Sequence, residues 1–150
     1  MKCDIILNIA SEGDCRDLWL WRNHSAVRRS FFNRKRIPWQ EHKEWFYSKV
    51  KDGDARIYIA KRGKDKVGVI RFEEAIAVVR VSVNLNPSFF GRGLGSKIIK
   101  LGTEKLLNEM KTKKPVVAEI TKDNIVSQKA FSKAGYRYAE ETEDKMVYKR

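Results

Sequence analysis

The chain has 150 residues, with 32 basic and 19 acidic side chains and a formal net charge of +13. This length fits a single domain, 1–150, that can bury a sizeable core. A hydrophobic content of 42% excludes a disordered chain. The absence of any apolar run of ~20 residues excludes a membrane span, and the apolar start is too short for a signal peptide. We therefore expect a cytoplasmic protein that does not contact membranes.

The charge and the cysteines restrict the possible ligands. A field of +13 attracts polyanions, so nucleic acid, coenzymes and nucleotide sugars are all candidate partners, beside the simpler interpretation of a basic, soluble surface. Cys3 and Cys15 are too few for a disulfide framework or a metal site. Free thiols in a reducing compartment are the plain interpretation, and no metal is expected.

The N-terminal third predicts one strand and two helices. A short apolar strand covers residues 4–9, and a helix over 15–23 follows. A second helix runs through 40–50, with Pro38 in its first turn. Between the helices, residues 21–36 mix arginines with aromatic rings. Such a segment can hold a nucleotide by bidentate phosphate binding and base stacking, or it can bury the aromatic rings and present the arginines to solvent.

The rest of the chain alternates between strands and helices, and it contains no internal repeat or linker. The predicted strands are 56–61, 66–73, 78–85, 115–120, 136–140 and 145–149, and the predicted helices are 97–110 and 125–134. An antiparallel meander followed by a strand–helix–strand unit predicts an α+β fold with a mixed, mostly antiparallel central sheet flanked by helices.

A glycine-rich turn stands at the centre of this pattern. The strand that ends at Leu85 is stopped by Pro87, and Gly91, Gly93 and Gly95 then lead into a helix. The free N–H groups and the positive dipole at the start of a helix favour a phosphate group there. The spacing fits neither a P-loop nor the dinucleotide-binding pattern. From the glycines alone, a phosphate cradle and a turn without a ligand are equally good interpretations.

Two motifs together resemble the GNAT acyl-CoA N-acetyltransferases. The first is Leu85-Asn-Pro87 with Gly91-Arg-Gly-Leu-Gly95, and the second is Asn124-x-x-Ser127-x-x-x-Phe131-x-x-x-Gly135-Tyr136. They lie about 30 residues apart in the order of that family. The resemblance implies a GNAT-like fold and acetyl-CoA as co-substrate. It implies cofactor-binding roles for Val83, Leu85, Phe90, Gly91, Arg92, Gly93, Leu94, Gly95, Ser96, Asn124, Ser127 and Phe131.

The resemblance also implies direct attack of an amine on the thioester. This needs a neutral amine, a donor to the developing oxyanion and a proton for the departing thiolate. The backbone N–H of Leu85 is the predicted oxyanion donor. Two family side chains are missing, because Phe90 replaces a Gln or Arg three residues before Gly93, and Phe131 replaces the general-acid tyrosine.

The proton donor and acceptor therefore need other residues. Tyr138 is the predicted acid, since Tyr136 matches a packing position, and Ser127 and water are nearby alternatives. The predicted base is Glu119 on the strand before Asn124, and carboxylates at the end of a neighbouring strand, Glu73 and Glu74, are the alternatives.

The N-terminal half is similar to the nucleotide-sugar N-acetyltransferases of the pseudaminic acid pathway and related pathways. The similar motifs are Trp21-Arg-Asn23, Val27-Arg28, Phe31-Phe32 and Glu41-His42-x-x-Trp45-Phe46. The resemblance implies that the acceptor is the 4-amino group of a UDP-linked amino-sugar. It implies substrate-binding roles for Trp21, Arg22, Asn23, Arg28, Phe32 and His42.

Other functions remain open at this level. Acetylation of a peptide or protein is an alternative within the family, whereas a charge of +13 disfavours cationic aminoglycosides. A basic nucleic-acid-binding module is the alternative from another class, although it leaves the paired motifs unexplained. The sequence does not name the sugar or the acyl chain, and it does not decide between a monomer and a homodimer.

Overall fold

The computed structural model describes residues 4–150, so Cys3 lies outside the described residues. Helices flank a central sheet. In chain order the elements are β1 (Ile6–Ile9), α1 (Cys15–Asn23), α2 (Ser25–Arg28), α3 (Trp39–Lys51), β2 (Ala55–Arg62), β3 (Asp65–Glu74), β4 (Val79–Leu85), α4 (Leu94–Met110), β5 (Val116–Thr121), α5 (Ile125–Lys133), β6 (Arg137–Glu141) and β7 (Lys145–Lys149).

The seven strands form one sheet in the order β1-β2-β3-β4-β5-β7-β6. Neighbouring strands are antiparallel except for β4 and β5, which α4 connects as a crossover. The predicted α+β fold with a mixed, mostly antiparallel sheet is confirmed. The last strand enters the sheet between β5 and β6, which places β6 at the outer edge.

Each face of the sheet buries its own core. On one face α4 and α5 pack against the strands, and Ile98 and Leu106 of α4 are fully buried there. Gly102 lets α4 lie close to β3, since a Cβ at this position would come within 2.9 Å of the Ile70 side chain. On the other face Phe46 of α3 is fully buried in a second cluster that α1, α3 and β2 share.

Most boundaries differ from the predictions by one or two residues, and three differences concern the helices. The helix predicted from residue 97 begins at Leu94, so the glycine turn is shorter than expected. Pro38 precedes α3 as its N-cap instead of lying in its first turn. The short α2 was not predicted, because four residues show no periodicity. It begins where the Ala26 N–H donates to His24 Nδ1 at 3.2 Å.

None of the helices within residues 4–150 has the length and apolar character required to cross a membrane.

Candidate active site

Strands β4 and β5 separate soon after they pair. The parallel register joins Val79 to Val116 and Arg80 to Val117, while β4 continues to Leu85. The second half of β4 therefore presents an open edge toward β5. The gap between the two strands is called the cleft below.

The open edge of β4 directs backbone donors into the cleft. Asn86 N–H donates to Val67 O at 2.9 Å, which makes Gly68 and Leu85 a non-hydrogen-bonded pair of the antiparallel ladder. The N–H groups of Leu85 and, two residues earlier, Val83 therefore point away from β3. These donors can bind an extended ligand as an additional strand would be bound.

A cavity of about 250 Å³ fills the cleft. Side chains of β3, β4, β5, α5 and the loop after α2 form its walls. Five of the predicted site residues meet there, namely Phe32, Val83, Asn124, Ser127 and Phe131, together with the predicted base Glu119. The structure thus places the strand edge and the second motif on opposite sides of one cavity.

The glycine turn lies at the start of α4. Gly91 and Gly93 have φ angles of 76° and 70°, a region that favours glycine, and a Cβ at either would meet no atom within 4 Å. The next residues, Leu94, Gly95 and Ser96, form the first turn of α4, whose N–H groups have no acceptor inside the helix. The open backbone and the positive helix end fit a diphosphate group, such as the one in coenzyme A.

Three other residues of the turn have distinct surroundings. A Cβ on Gly95 would lie 3.6 Å from the Cβ of Ala130, so Gly95 also permits close packing of α4 on α5. Phe90 is half-exposed beside the turn. The Arg92 guanidinium lies 5.0 Å from the centre of the Phe89 ring.

Helix α5 presents the second motif to the cleft. Asn124 caps this helix, because its Oδ1 accepts the Ser127 N–H at 3.1 Å. Phe131 is buried with its ring centre 5.0 Å from that of Tyr136. Tyr136 shares a 2.7 Å hydrogen bond with Thr103, and burial raises the pKa of Tyr136 to about 12. Tyr136 is therefore a core residue, as predicted.

The predicted acid, Tyr138, is not brought to the cleft. It lies on β6, which β7 separates from β5, and its described ring contact is with Tyr148 at 6.1 Å between ring centres. The side chain is 54% exposed and does not line the cleft cavity. Tyr138 is close to the second motif in the sequence, but β7 lies between β5 and β6 and keeps this tyrosine away from the cleft.

Two predicted carboxylates do line the cleft, and each is ion-paired. Glu119 contacts Lys145 and lies 3.8 Å from Arg80 Nε. Glu73, which also lines the cleft, lies 3.0 Å from Arg71 Nε. Glu119 and Glu73 are therefore placed as the base prediction requires, but each already has a cationic partner.

A second cavity, of about 320 Å³, adjoins the cleft on the face of α1 and α3. It is called the lateral cavity below. The two cavities share the lining residues Phe31, Arg71, Ser82 and Asn84, so a ligand in the lateral cavity can reach the cleft. The lateral cavity is further lined by Leu18, Arg22, Ile37, Glu41, His42, Trp45, Ile57 and Val69.

Two guanidinium groups face the lateral cavity. Arg22 stacks on the Phe31 ring at 3.7 Å and donates from Nη2 to Asn33 O at 2.9 Å, while its buried Nη1 has no hydrogen-bond partner in residues 4–150. Arg71 lies 4.8 Å from the centre of the Trp45 ring. Burial lowers the pKa of Arg22, and the neighbouring Arg71 lowers it further. An anionic ligand would offset this repulsion and satisfy the free donor.

Three predicted substrate-binding residues have structural roles instead. Trp21 is buried in the core between α1 and the sheet. The Asn23 side chain donates to Ile37 O at 2.8 Å and accepts from Ile37 N–H at 2.7 Å. Arg28 Nε donates to Asn23 O at 3.0 Å. These predictions are corrected, because the three side chains hold α1 and the loop that follows α2 in place and do not line either cavity.

His42 lines the lateral cavity, as the substrate-binding prediction requires. Its Nε2 lies 2.9 Å from Cys15 O, and burial lowers its pKa. Sequence reasoning missed Arg71, Ser82 and Asn84. A polar side chain at alternate positions of an otherwise apolar strand was the available signal for Ser82 and Asn84, whereas no such alternation precedes Arg71.

Comparisons with known proteins agree with this geometry. The model of the Acetyltransferase (GNAT) domain matches residues 4–137. Similar solved structures include a domain from Methanocaldococcus jannaschii, with 21% identity, a TM-score of 0.84 and coverage of 98% of this chain and 97% of that chain. Another is aminoglycoside acetyltransferase AAC(6')-Ib in complex with coenzyme A and kanamycin, with 20% identity, a TM-score of 0.82 and coverage of 97% and 93%.

The Campylobacter jejuni N-acetyltransferase PseH in complex with acetyl coenzyme A is also similar, with 14% identity, a TM-score of 0.74 and coverage of 98% of both chains. No curated protein sequence matches this chain. At these identities the structural likeness shows the fold and does not specify the acceptor. The family match spans most of the chain and accounts for the paired motifs. The chain therefore belongs to the GNAT acetyltransferase family and is an acyl-CoA N-acyltransferase with acetyl-CoA as its co-substrate.

Proposed function

We propose that the acceptor is the amino group of a nucleotide-linked amino-sugar, which attacks the acetyl group directly in the cleft. The observation that carries the proposal is the pair Arg22 and Arg71 in the lateral cavity. A guanidinium fork matches the oxygens of a phosphate, and aromatic rings such as Phe31 and Trp45 offer faces for a base or sugar.

The electrostatics of the lateral cavity favour this acceptor over a polyamine. Two guanidinium groups repel a polycation, whereas a nucleotide diphosphate with about two negative charges is attracted. Glu41 is the carboxylate that lines this cavity, and it lies exposed on α3. The charge of +13 on the whole chain acts in the same direction.

The backbone of β4 and α4 would hold the co-substrate. When bound, acetyl-CoA supplies an activated acyl group. The turn at Gly91 and Gly93 would offer N–H groups to the diphosphate, and Val83 N–H would bind the pantetheine chain in the cleft. Leu85 N–H is directed to the same side and would polarise the thioester carbonyl.

The direct test is a turnover screen with acetyl-CoA against UDP-linked amino-sugars, peptides and polyamines. We expect acetylation of a UDP-linked amino-sugar and no turnover of spermidine. Arg22→Gln and Arg71→Gln are each expected to raise the KM for the sugar about tenfold or more, because a charge-assisted hydrogen bond is lost. Arg137→Gln, an exposed change on β6 with the same loss of charge, is the control.

The affinity for acetyl-CoA should stay within about twofold in the Arg22→Gln and Arg137→Gln variants, since neither side chain lines the cleft cavity. Preferential acetylation of a peptide would overturn the amino-sugar proposal and support the alternative acceptor. Equal effects of Arg22→Gln and Arg137→Gln on KM would show that only the overall charge matters.

A further inference from the structure

The cleft lacks an acidic hydroxyl at the position where the family resemblance implies one. Phe131 occupies that position, is 2% exposed and has no proton to donate. The neighbouring hydroxyl of Tyr136 is in the core, bonded to Thr103. The departing thiolate must therefore gain its proton from another group.

Ser127 presents a hydroxyl on the cofactor side of the cleft. It lies one turn before Phe131 on the same face of α5 and lines the cleft cavity. Its backbone N–H is fixed by Asn124 Oδ1, and within residues 4–150 its Oγ takes part in no hydrogen bond. Ser30, another hydroxyl of this cavity, already donates to Val27 O at 2.7 Å.

The charged groups that line the cleft do not provide a free acid. Arg71 is paired with Glu73 at 3.0 Å, and Arg80 lies 3.8 Å from Glu119, which also contacts Lys145. The Arg71–Glu73 pair lies toward the lateral cavity, which Arg71 also lines. Ser127, in contrast, lies in the first turn of α5, where the positive end of the helix dipole favours a negative charge.

We infer that the Ser127 hydroxyl hydrogen-bonds the sulfur of coenzyme A and relays a proton to it. A serine hydroxyl is a weak acid, so it gives up its proton only as it receives another. The nitrogen–carbon bond forms and the carbon–sulfur bond breaks, and the proton released by the amine passes to Ser127 Oγ. The original hydroxyl proton passes to sulfur, so Ser127 ends in its starting state. The donor and acceptor sites of a hydroxyl permit this exchange.

The test measures the thiol of bound coenzyme A and needs no acceptor. The ultraviolet absorbance of the thiolate is followed against pH, as a difference between complexes with coenzyme A and with desulfo-coenzyme A. The difference removes the titration of Cys15 and the tyrosines. Ser127→Ala is expected to raise the pKa of the bound thiol by about one unit, because one charge-assisted hydrogen bond to the thiolate is lost.

Two variants control this measurement. Ser132→Ala makes the same chemical change on the exposed side of α5 and should leave the pKa of the bound thiol unchanged. Ser127→Thr retains a hydroxyl, so the pKa of the bound thiol should equal that in the wild-type complex. An unchanged pKa of the bound thiol in Ser127→Ala, or an equal rise in Ser132→Ala, would overturn the inference.

Turnover provides the second readout, with whichever amine the wild-type protein acetylates. Ser127→Ala is expected to lower kcat about 10²-fold with acetyl-CoA affinity within about twofold, and Ser127→Thr should restore most of kcat. A loss of acetyl-CoA affinity that accounts for the whole loss of activity would make Ser127 a binding residue only. The amino-sugar proposal can fail in the screen without changing either result, so the two failures are distinguishable.

Discussion

The two sides of the cleft offer different groups to a ligand. The proposed cofactor side consists of the open edge of β4, the glycine turn and the starts of α4 and α5, and it offers mainly backbone N–H groups. The proposed acceptor side is the lateral cavity, where side chains from α1, α3, β3 and β4 converge on one space. One side is therefore defined by local backbone geometry and the other by which distant side chains meet.

This difference determines which kinds of substitution should be harmful. On the cofactor side a substitution acts when it changes the backbone conformation or fills the space beside it. On the acceptor side a substitution acts when it removes a charge, a ring or a hydrogen bond that holds the walls together.

Gly93→Val is expected to weaken acetyl-CoA binding roughly 100-fold, equivalent to two charge-assisted hydrogen bonds of about 1.5 kcal/mol each. Its φ of 70° is strained for valine, and the side chain would enter the space where the diphosphate fits. Calorimetric titration measures the effect. Gly63→Val is the matched control, because Gly63 has a φ of 64° and open space around it in the β2–β3 turn.

Both valine variants should lose similar stability, about 1–2 kcal/mol for a left-handed residue, but only Gly93→Val should lose acetyl-CoA affinity. Wild-type affinity in a folded Gly93→Val protein would contradict the cradle at this turn.

Asn23→Ala is expected to lower the free energy of unfolding by about 2 kcal/mol, because the Ile37 N–H loses its acceptor and Ile37 O keeps only the Trp19 indole N–H as a donor. Denaturant unfolding measures this loss. Since Asn23 positions the wall of the lateral cavity, the KM for the acceptor should rise while acetyl-CoA affinity stays unchanged. Asn108→Ala, an exposed change on α4, is the control and should alter none of these quantities. Equal losses of affinity for both substrates would contradict the division between the two sides.

The smallest effect concerns pH. Burial lowers the pKa of His42 below its ordinary value of 6.5 in the folded protein, so the unfolded chain binds a proton first as pH falls. Stability should therefore be lost as pH falls from 6.5 toward the lowered pKa. His42→Gln should reduce this loss between about pH 7 and pH 5, as measured by thermal unfolding.

His24→Asn is the control for the pH experiment, since His24 is exposed and asparagine can also cap α2. The same pH dependence in wild-type and His42→Gln proteins would contradict the assignment to the buried histidine.

Much of the cofactor side could be predicted from local sequence patterns. Alternation over β4, a proline stop, glycines before a helix and an asparagine cap each fix the backbone within a few residues. The acceptor side could not be predicted to the same extent. Arg71 was missed because its importance depends on lying opposite Arg22, 49 positions away in the chain and adjacent only when β3 packs under α1.

Side-chain direction was the other source of error. Trp21 and Asn23 flank Arg22 in one motif, yet the helix turns them toward the core and the loop after α2, while Arg22 lines the lateral cavity. Tyr138 follows the second motif closely, but the order of the last two strands carries it to the edge of the sheet.

The sequence by itself determined the family, acetyl-CoA as the co-substrate and the order of the strands and longer helices, because these follow from local backbone preferences and motif spacing. Only the tertiary structure decided which polar side chains share a cavity. Such contacts depend on strand order and helix packing, which bring together residues that no local pattern connects.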